Sequence, residues 1–243
     1  MDRWPTTPEE LEEVQCKLAG AASVLWQPPE TMWSAAGCFV CFARGTSGPG
    51  AAGDRGWAAA ALARGDDVVV GTVVRQAAGF PYVPGLLALR EGPLLEAAVV
   101  GLPARPDVLL VDATGRDHPR RAGLALHLGA VLDLPSVGVT HRPLVARGAP
   151  PPDDEGAISP LRVGGELVGF WIRPGRGLRP LAVHAAWRTD PEVAAAVVRA
   201  LCRGRRTPEP LRAARRAARE ARAGDEGQWP EPPVSGGSGH LSL

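Results

Sequence analysis

The sequence has 243 residues, with 45% hydrophobic and 22% charged residues and a formal net charge of +1 at pH 7. This length suits one sizeable folded domain with its own core. Four cysteines without a signal-like start, and apolar runs shorter than the ~18 residues of a spanning helix, predict a cytoplasmic protein with no membrane role.

The first half of the chain predicts one helix followed by an antiparallel meander. Apolar residues at helical spacing predict a helix over 8–24, and either Thr6 or Thr7 is suited to cap it. A buried strand is expected over 34–42. Glycine-rich turns then separate strands over 57–62 and 68–74.

The second half alternates helices with short apolar strands. Helices are predicted over 86–101, 118–134, 190–202 and 209–222, and strands over 106–112, 135–140, 166–172 and 181–184. A meander followed by such alternation indicates an α/β domain with a mixed central sheet. We assign residues 1–223 to this single domain and predict that the low-complexity segment 224–243 is disordered.

The last predicted helix carries five arginines at helical spacing, Arg212, Arg215, Arg216, Arg219 and Arg222. On one interpretation they form a ridge that binds nucleic-acid phosphates, which would make binding sensitive to salt. On the other, they are a solvated face, and the alanine-rich opposite face packs on the domain.

Three segments closely resemble the endonuclease V family. They are PYVPGLLALREGPLL at 81–95, PDVLLVDATGRDHPRRAGLALHLG at 106–129 and LPSVGVT at 134–140. The resemblance covers residues 8–215 and implies an RNase H-like fold. It also implies metal-assisted hydrolysis of a phosphodiester near deoxyinosine in DNA or inosine in RNA, with acidic side chains holding Mg²⁺.

Several site residues of the family fall on matching residues here. The resemblance places two acidic metal ligands on Glu91 and Asp112. The Pro-Tyr-x-Pro wedge that the family inserts beside the lesion falls on residues 81–84, with Tyr82 as its aromatic ring. The turn that lines the pocket for a flipped base reads Ala-Thr-Gly and ends at Gly115, so one glycine of the family has gained a side chain at Ala113.

Three other family positions are altered. Phe39 stands where the first-strand aspartate ligand is expected, Trp187 where the late catalytic histidine is expected, and His141 where a phosphate-binding lysine is expected. An apolar ring supplies no ligand atoms and obstructs the water shell that Mg²⁺ gives up reluctantly. We therefore expect little or no ordinary nuclease activity, no required cofactor, and at most weak Mg²⁺ or Mn²⁺ binding by the two carboxylates.

Other side chains offer alternatives. Asp54, Asp66 and Asp67 lie in predicted turns, where acids are usually solvated, but one of them could replace the missing ligand. His118 either reaches a metal or ligand or orients the helix that follows it.

Strand periodicity adds a candidate nucleophile. Residues 37, 39 and 41 point to one face of the first strand, so Cys41 is expected to share the cleft with Phe39, while Cys38 faces the other side. A thiol beside His118 or His141 could act in acyl or alkyl transfer. The alternative is a small apolar filler in a central strand.

Three functions follow from these expectations. The first is a repurposed enzyme that acts on a small planar molecule through Glu91, Asp112 and either Cys41 or a histidine, with Phe39 and Trp187 as stacking surfaces. The second is a binder of inosine-containing nucleic acid that does not cut, using Tyr82 and the arginine-rich helix. The third is an active endonuclease with rearranged metal ligands.

Overall fold

The computed structural model describes residues 4–44 and 49–225. Within them, five helices are α1 (Pro8–Gly20), α2 (Leu87–Val100), α3 (Leu124–Leu132), α4 (Pro191–Cys202) and α5 (Glu209–Asp225). Nine strands are β1 (Ser34–Phe42), β2 (Arg55–Arg64), β3 (Asp67–Val70), β4 (Val74–Ala77), β5 (Val108–Val111), β6 (Ser136–Thr140), β7 (Ile158–Val163), β8 (Glu166–Ile172) and β9 (Leu181–Ala185).

The strands form one mixed sheet, as the sequence predicts. The order is β3-β2-β1-β5-β6-β9-β8-β7, and β4 pairs with β2 beside β3. β1, β5 and β6 are parallel, with Cys38 opposite Val111 and Val111 opposite Gly138. The remaining pairs are antiparallel. Side chains that follow the ends of the three parallel strands therefore meet at one edge of the sheet.

Helices cover both faces of this sheet. Helices α1, α2 and α3 enclose the largest core with the β1 residues Cys38 and Val40. On the opposite face, α4 covers β6, β8 and β9, and α5 covers β1 and β2. Because successive strand residues point to opposite faces, Phe39 lies on the α5 side and Cys38 on the α2 side.

Some element boundaries differ from the sequence prediction. Thr7 caps α1 by accepting a hydrogen bond from the Glu10 amide, but the helix ends at Gly20. Helix α3 begins at Leu124 rather than at His118, because Arg121 has a φ of 60° that a helix cannot contain. Strand β7 was missed; it lies at the sheet edge and contains Pro160, which suppresses the strand signal.

Helix α5 closes the domain. Asp225, its last residue, accepts a hydrogen bond from the Trp57 indole at 2.9 Å and is paired with Arg75. Helix α5 thus runs two residues past the predicted boundary at 223. Residues 226–243, which hold most of the predicted tail, lie outside the described residues. None of the helices in the described part of the chain is long and apolar enough to traverse a lipid bilayer.

Candidate nucleic-acid site

The candidate site lies where the parallel strands end. Phe39 follows Cys38, the last β1 residue that pairs with β5, and Asp112 follows the last residue of β5. Thr140 ends β6, and His141 comes directly after it. The structure therefore brings Phe39, Asp112 and His141 to one edge of the sheet, as the resemblance implies.

An arginine from α5 occupies the centre of this edge. The Arg215 guanidinium donates a hydrogen bond to Asp112 Oδ2 at 2.7 Å, and the two side chains are 17% and 25% exposed. Its Cζ lies 5.2 Å from the centroid of the Phe39 ring, and the Arg219 Cζ lies 5.5 Å from the same centroid. Phe39 thus stands beneath two cations, with which its π face interacts favourably.

Glu91 reaches the same edge from α2 on the other face of the sheet. Burial and the nearby charge of Asp112 together raise its pKa to about 8, while the charge of Arg90 opposes the shift. Glu91 is therefore mostly protonated at neutral pH. Burial and the same two carboxylates also raise the pKa of the Cys38 thiol, which keeps it neutral and unreactive.

These residues do not fit the hydrated Mg²⁺ that the resemblance implies. In residues 4–44 and 49–225, no group of three His, Cys, Asp or Glu side chains is placed to hold a metal ion. Asp112 already has a guanidinium as its cation, and Phe39 contributes no ligand atom. A dication here would displace Arg215 and approach Arg219, which Coulomb repulsion opposes.

The alternative carboxylates do not complete a metal site. Asp54 is largely buried and binds the buried Arg90 at 2.7 Å. Asp66 is fully exposed and pairs with Arg203 at 2.7 Å, and Asp67 is exposed at the start of β3. Asp66 and Asp67 are therefore surface residues, as expected, whereas Asp54 differs from the expectation because it is the largely buried partner of Arg90.

A cavity of about 210 Å³ opens beside Asp112. Its walls come from the wedge loop (residues 81–85), from α1, α2 and α3, and from the turn after β5. Its lining includes Gln15, Tyr82, Val83, Pro84, Leu87, Ala88, Asp112, Ala113, Thr114, His118, Leu124, Thr140 and Leu144. It is smaller than the ~300–1,000 Å³ of pockets for drug-sized ligands, so it suits a group no larger than a nucleobase.

The wedge loop is held firmly against the cavity. The Gly85 carbonyl accepts hydrogen bonds from Gln15 Nε2 and His118 Nε2, each at 3.2 Å, and from Arg120 at 3.4 Å. The Tyr82 amide donates to the Gly50 carbonyl at 3.0 Å. The Tyr82 side chain remains 42% exposed beside the cavity mouth. The ring is thus accessible on a fixed backbone.

His118 is a positioning residue in this arrangement. Its Nδ1 accepts from the Arg120 amide at 3.2 Å, so Nε2 carries the proton that it donates to Gly85. Burial lowers the pKa of His118, which keeps it neutral. Both ring nitrogens are engaged within the protein, so His118 orients the loop rather than reaching for a metal.

Three predicted cleft residues lie elsewhere. Cys41 shares the face of Phe39, as predicted, but α5 covers it, and Sγ lies 3.5 Å from the Ala218 carbonyl. Trp187 lies at the opposite end of β6, where its carbonyl accepts from the Ser136 amide at 2.8 Å. Gly115 packs against β9; a Cβ built there would lie 2.2 Å from the Ala185 carbonyl oxygen. The predictions that these residues line the cleft are wrong.

The arginines of α5 recur at helical spacing, as predicted, but their side chains have different surroundings. The alanine-rich face does pack on the sheet, with Ala213, Ala214 and Ala218 buried. Arg215 turns inward to Asp112, and Arg212 pairs with Glu209. Arg216 and Arg219 remain exposed.

A basic groove of about 360 Å³ lies next to the site. It is lined by His141, Arg142, Trp171, Arg179, Pro180 and Arg206. Burial lowers the pKa of His141, and the nearby charges of Arg206 and Arg215 lower it further. His141 therefore lies between the groove and Arg215, close to the charges of both arginines.

A buried pair that no sequence pattern indicates shapes the cavity. His184 Nε2 lies 3.1 Å from Asp117 Oδ2, and both side chains are fully buried. Burial raises the pKa of Asp117, but His184 and the amides of Leu144 and Val145 outweigh it and lower the pKa to about 2. Asp117 thereby anchors Leu144, a cavity residue. The two partners are 67 residues apart, and no local pattern links them.

The family match and the similar curated sequences point to one family. The family model described as Endonuclease V matches residues 48–216. An endonuclease V of Roseiflexus sp. is 44% identical over 142 residues, which is 58% of this chain and 64% of the relative. The chain therefore spans less than two thirds of that relative's length in this alignment.

Solved structures extend the similarity over most of the fold. The endonuclease V of Streptomyces avermitilis has 34% sequence identity and a TM-score of 0.81, covering 92% of this chain and 96% of that one. A Ciona intestinalis endonuclease V variant, in complex with a DNA that contains an inosine, has 20% identity and a TM-score of 0.71, covering 90% and 99%. The RNase H-like fold implied by the resemblance is confirmed.

Proposed function

Because this chain belongs to the endonuclease V family, we propose that it binds inosine-containing nucleic acid without cutting it by a metal-dependent route. The observation that carries the proposal is the ion pair of Arg215 with Asp112 beside an intact cavity and wedge loop. The pair disables the metal centre, while the elements suited to recognising a base remain.

The cavity suits a base that has left its stack. Enzymes that act on bases hold a flipped nucleotide in a small pocket, with hydrogen bonds to the base edge and apolar or aromatic contacts to its faces. Here Thr114, Thr140 and Asp112 supply polar groups, Ala88 and Leu124 supply apolar surface, and Tyr82 stands at the mouth. The Ciona relative is in complex with an inosine-containing DNA, which supports inosine as the nucleotide.

The surroundings suit a polyanionic strand. Arg142 and Arg179 are exposed in the basic groove, and Arg216 and Arg219 are exposed on α5. Lysine and arginine side chains that contact phosphates release counter-ions and supply affinity that falls with salt. The predicted small-molecule enzyme loses support, since neither Cys41 nor Trp187 lies in the cleft.

Binding and cutting are tested together on matched oligonucleotides. Labelled single-stranded and duplex probes with one inosine, and the same probes with guanosine, are titrated in EDTA, Mg²⁺ and Mn²⁺. We expect at least a fivefold preference for inosine that does not require metal, and no nicked product on denaturing gels. Metal-dependent nicking by the unmodified chain, or equal affinity for both probes, would overturn the proposal.

A matched variant separates base recognition from general affinity. Tyr82→Ala removes an exposed ring without disturbing the backbone hydrogen bond to Gly50. We expect it to lose most of the inosine preference, since stacking on an aromatic ring contributes ~1–3 kcal/mol per base. Its affinity for the guanosine probe, which depends on phosphate contacts, should change less than twofold.

A further inference from the structure

The charges around Asp112 suit an anion better than a cation. Arg215 contacts Asp112 directly, and the Arg219 Cζ lies 5.5 Å from the centroid of the Phe39 ring. Arg206 is close enough for its charge to lower the pKa of His141. Three guanidinium groups therefore lie at this edge of the sheet, and one of them contacts Asp112.

Arg215 has hydrogen-bonding capacity that Asp112 does not use. Only one bond, from a terminal nitrogen to Oδ2, joins the two side chains, although a guanidinium can make a paired contact with a carboxylate or phosphate. The Arg215 Nε is buried and has no hydrogen-bond partner in the described part of the chain. A tetrahedral phosphate has several acceptor oxygens, which suit the N–H groups of Arg215 that Asp112 leaves unbonded.

Phe39 contributes by fixing the position of these cations. Its ring is half-buried against the cluster that contains Ala218 of α5, and it supplies a π face to Arg215 and Arg219. The apolar contact limits hydration of the guanidinium, which strengthens its interaction with a bound anion. Phe39, which stands where the family has an acidic ligand, and Arg215 therefore both favour a bound anion at this site.

We propose that Arg215 is the receptor for a nucleic-acid phosphodiester at this site, where the family's metal ion would act, and that Asp112 is its counter-ion until a strand binds. This inference rests on the proposed function and deepens it. One phosphate oxygen replaces Asp112 Oδ2 at the guanidinium. The Asp112 side chain, which is 25% exposed, is then hydrated or accepts a hydrogen bond from the base.

The proposal predicts effects of opposite sign for the two partners. Asp112→Asn removes the competing carboxylate and a repulsive charge, so binding of the guanosine probe should tighten about three- to tenfold in EDTA. Arg215→Gln should weaken it about tenfold and reduce the slope of log affinity against log salt by about one. On the Arg215→Gln background, Asp112→Asn should no longer tighten binding.

Arg216→Gln is the matched control. It removes the same charge from the next residue of α5, whose side chain is exposed, and therefore measures the general electrostatic effect. A loss of affinity in Arg216→Gln that equals the loss in Arg215→Gln would overturn the proposal. So would weaker binding by Asp112→Asn in EDTA, or an effect of Asp112→Asn that appears only with Mg²⁺.

Two further measurements keep the outcomes separate. Thermal unfolding of each variant checks that it is folded, and Arg215→Lys, which keeps the charge but loses the fork, should bind with intermediate affinity. The inosine preference of the unmodified chain is measured independently. A protein without that preference but with the opposite-sign effects would contradict the proposed function and support Arg215 as a phosphate receptor.

Discussion

Gly37 of β1 lies directly against Leu211 at the start of α5, with no room between them for a side chain. A Cβ built on Gly37 would lie 2.4 Å from the Leu211 amide nitrogen. This close approach seats α5 on the sheet, and it therefore sets the position from which Arg215 reaches Asp112.

Gly37→Ala should displace or loosen α5. Overpacking a buried site typically costs ~1–3 kcal/mol, and here the obstacle is backbone, which yields little. We expect a loss of about 3 kcal/mol in the free energy of urea unfolding, together with weaker nucleic-acid binding. Gly20→Ala is the control, because a Cβ there meets nothing within 4 Å. Equal stability of the two variants would contradict this view of the contact.

Phe39→Asp alone should not restore nuclease activity. The new carboxylate would face Arg215 and Arg219, whose guanidinium carbons lie 5.2 and 5.5 Å from the present ring centroid, and would pair with them. The double variant Phe39→Asp with Arg215→Gln should bind Mn²⁺ more tightly than either single variant, as measured by electron paramagnetic resonance. Nicking of deoxyinosine DNA by the single variant would show that Arg215 does not block the centre.

Glu91 should make the stability of the domain fall at alkaline pH. Its pKa is about 8 in the folded state, above the ordinary 4.5, so the unfolded chain binds fewer protons between these values and stability declines as pH rises. Glu91→Gln should therefore gain about 4 kcal/mol relative to the unmodified chain between pH 5 and pH 9, since one pKa unit corresponds to ~1.4 kcal/mol. If the stabilities of the two proteins change in parallel with pH, Glu91 is not the source of the decline.

Burial of His127 should make the stability of the domain fall at acidic pH. It is fully buried against the Trp4 ring, 4.5 Å between centroids, and burial lowers its pKa to about 4. Below pH 6.5 the unfolded chain binds the extra proton, so the stabilisation is present above pH 6.5 and is lost as pH falls to 4. His127→Phe should remove up to about 3 kcal/mol of this pH dependence in urea unfolding. An unchanged acid profile would exclude His127 as its source.

The basic groove should contribute to affinity without contributing to base preference. Arg179→Ala removes an exposed cation that lines the groove beside Trp171. We expect affinity for the inosine and guanosine probes to fall by the same factor, about three- to tenfold, with a shallower salt dependence. Arg199→Ala, an exposed arginine on α4 outside the groove, should change neither value. A selective loss on the inosine probe would place Arg179 in base recognition instead.

Much of the fold follows from local pattern. The apolar run ending at Val111 specifies a buried parallel strand, and the alternation after it specifies an α/β sheet, which the structure confirms. The period of two along β1 correctly separates the faces of Cys38 and Phe39. The family motifs single out Asp112 and Tyr82, and both residues line one cavity. Such features depend on residues near one another in sequence, or on a pattern repeated within one element.

Contacts between distant segments required the tertiary structure. Arg215 and Asp112 are 103 residues apart, and nothing in the helical spacing of the arginines distinguishes the one that turns inward. The same holds for Cys41, because strand parity gives its face but not the helix that covers that face. Trp187 was misplaced because the path of β9 sets which end of the sheet it reaches. Packing between elements decides which charges meet, and it makes this edge of the sheet cationic.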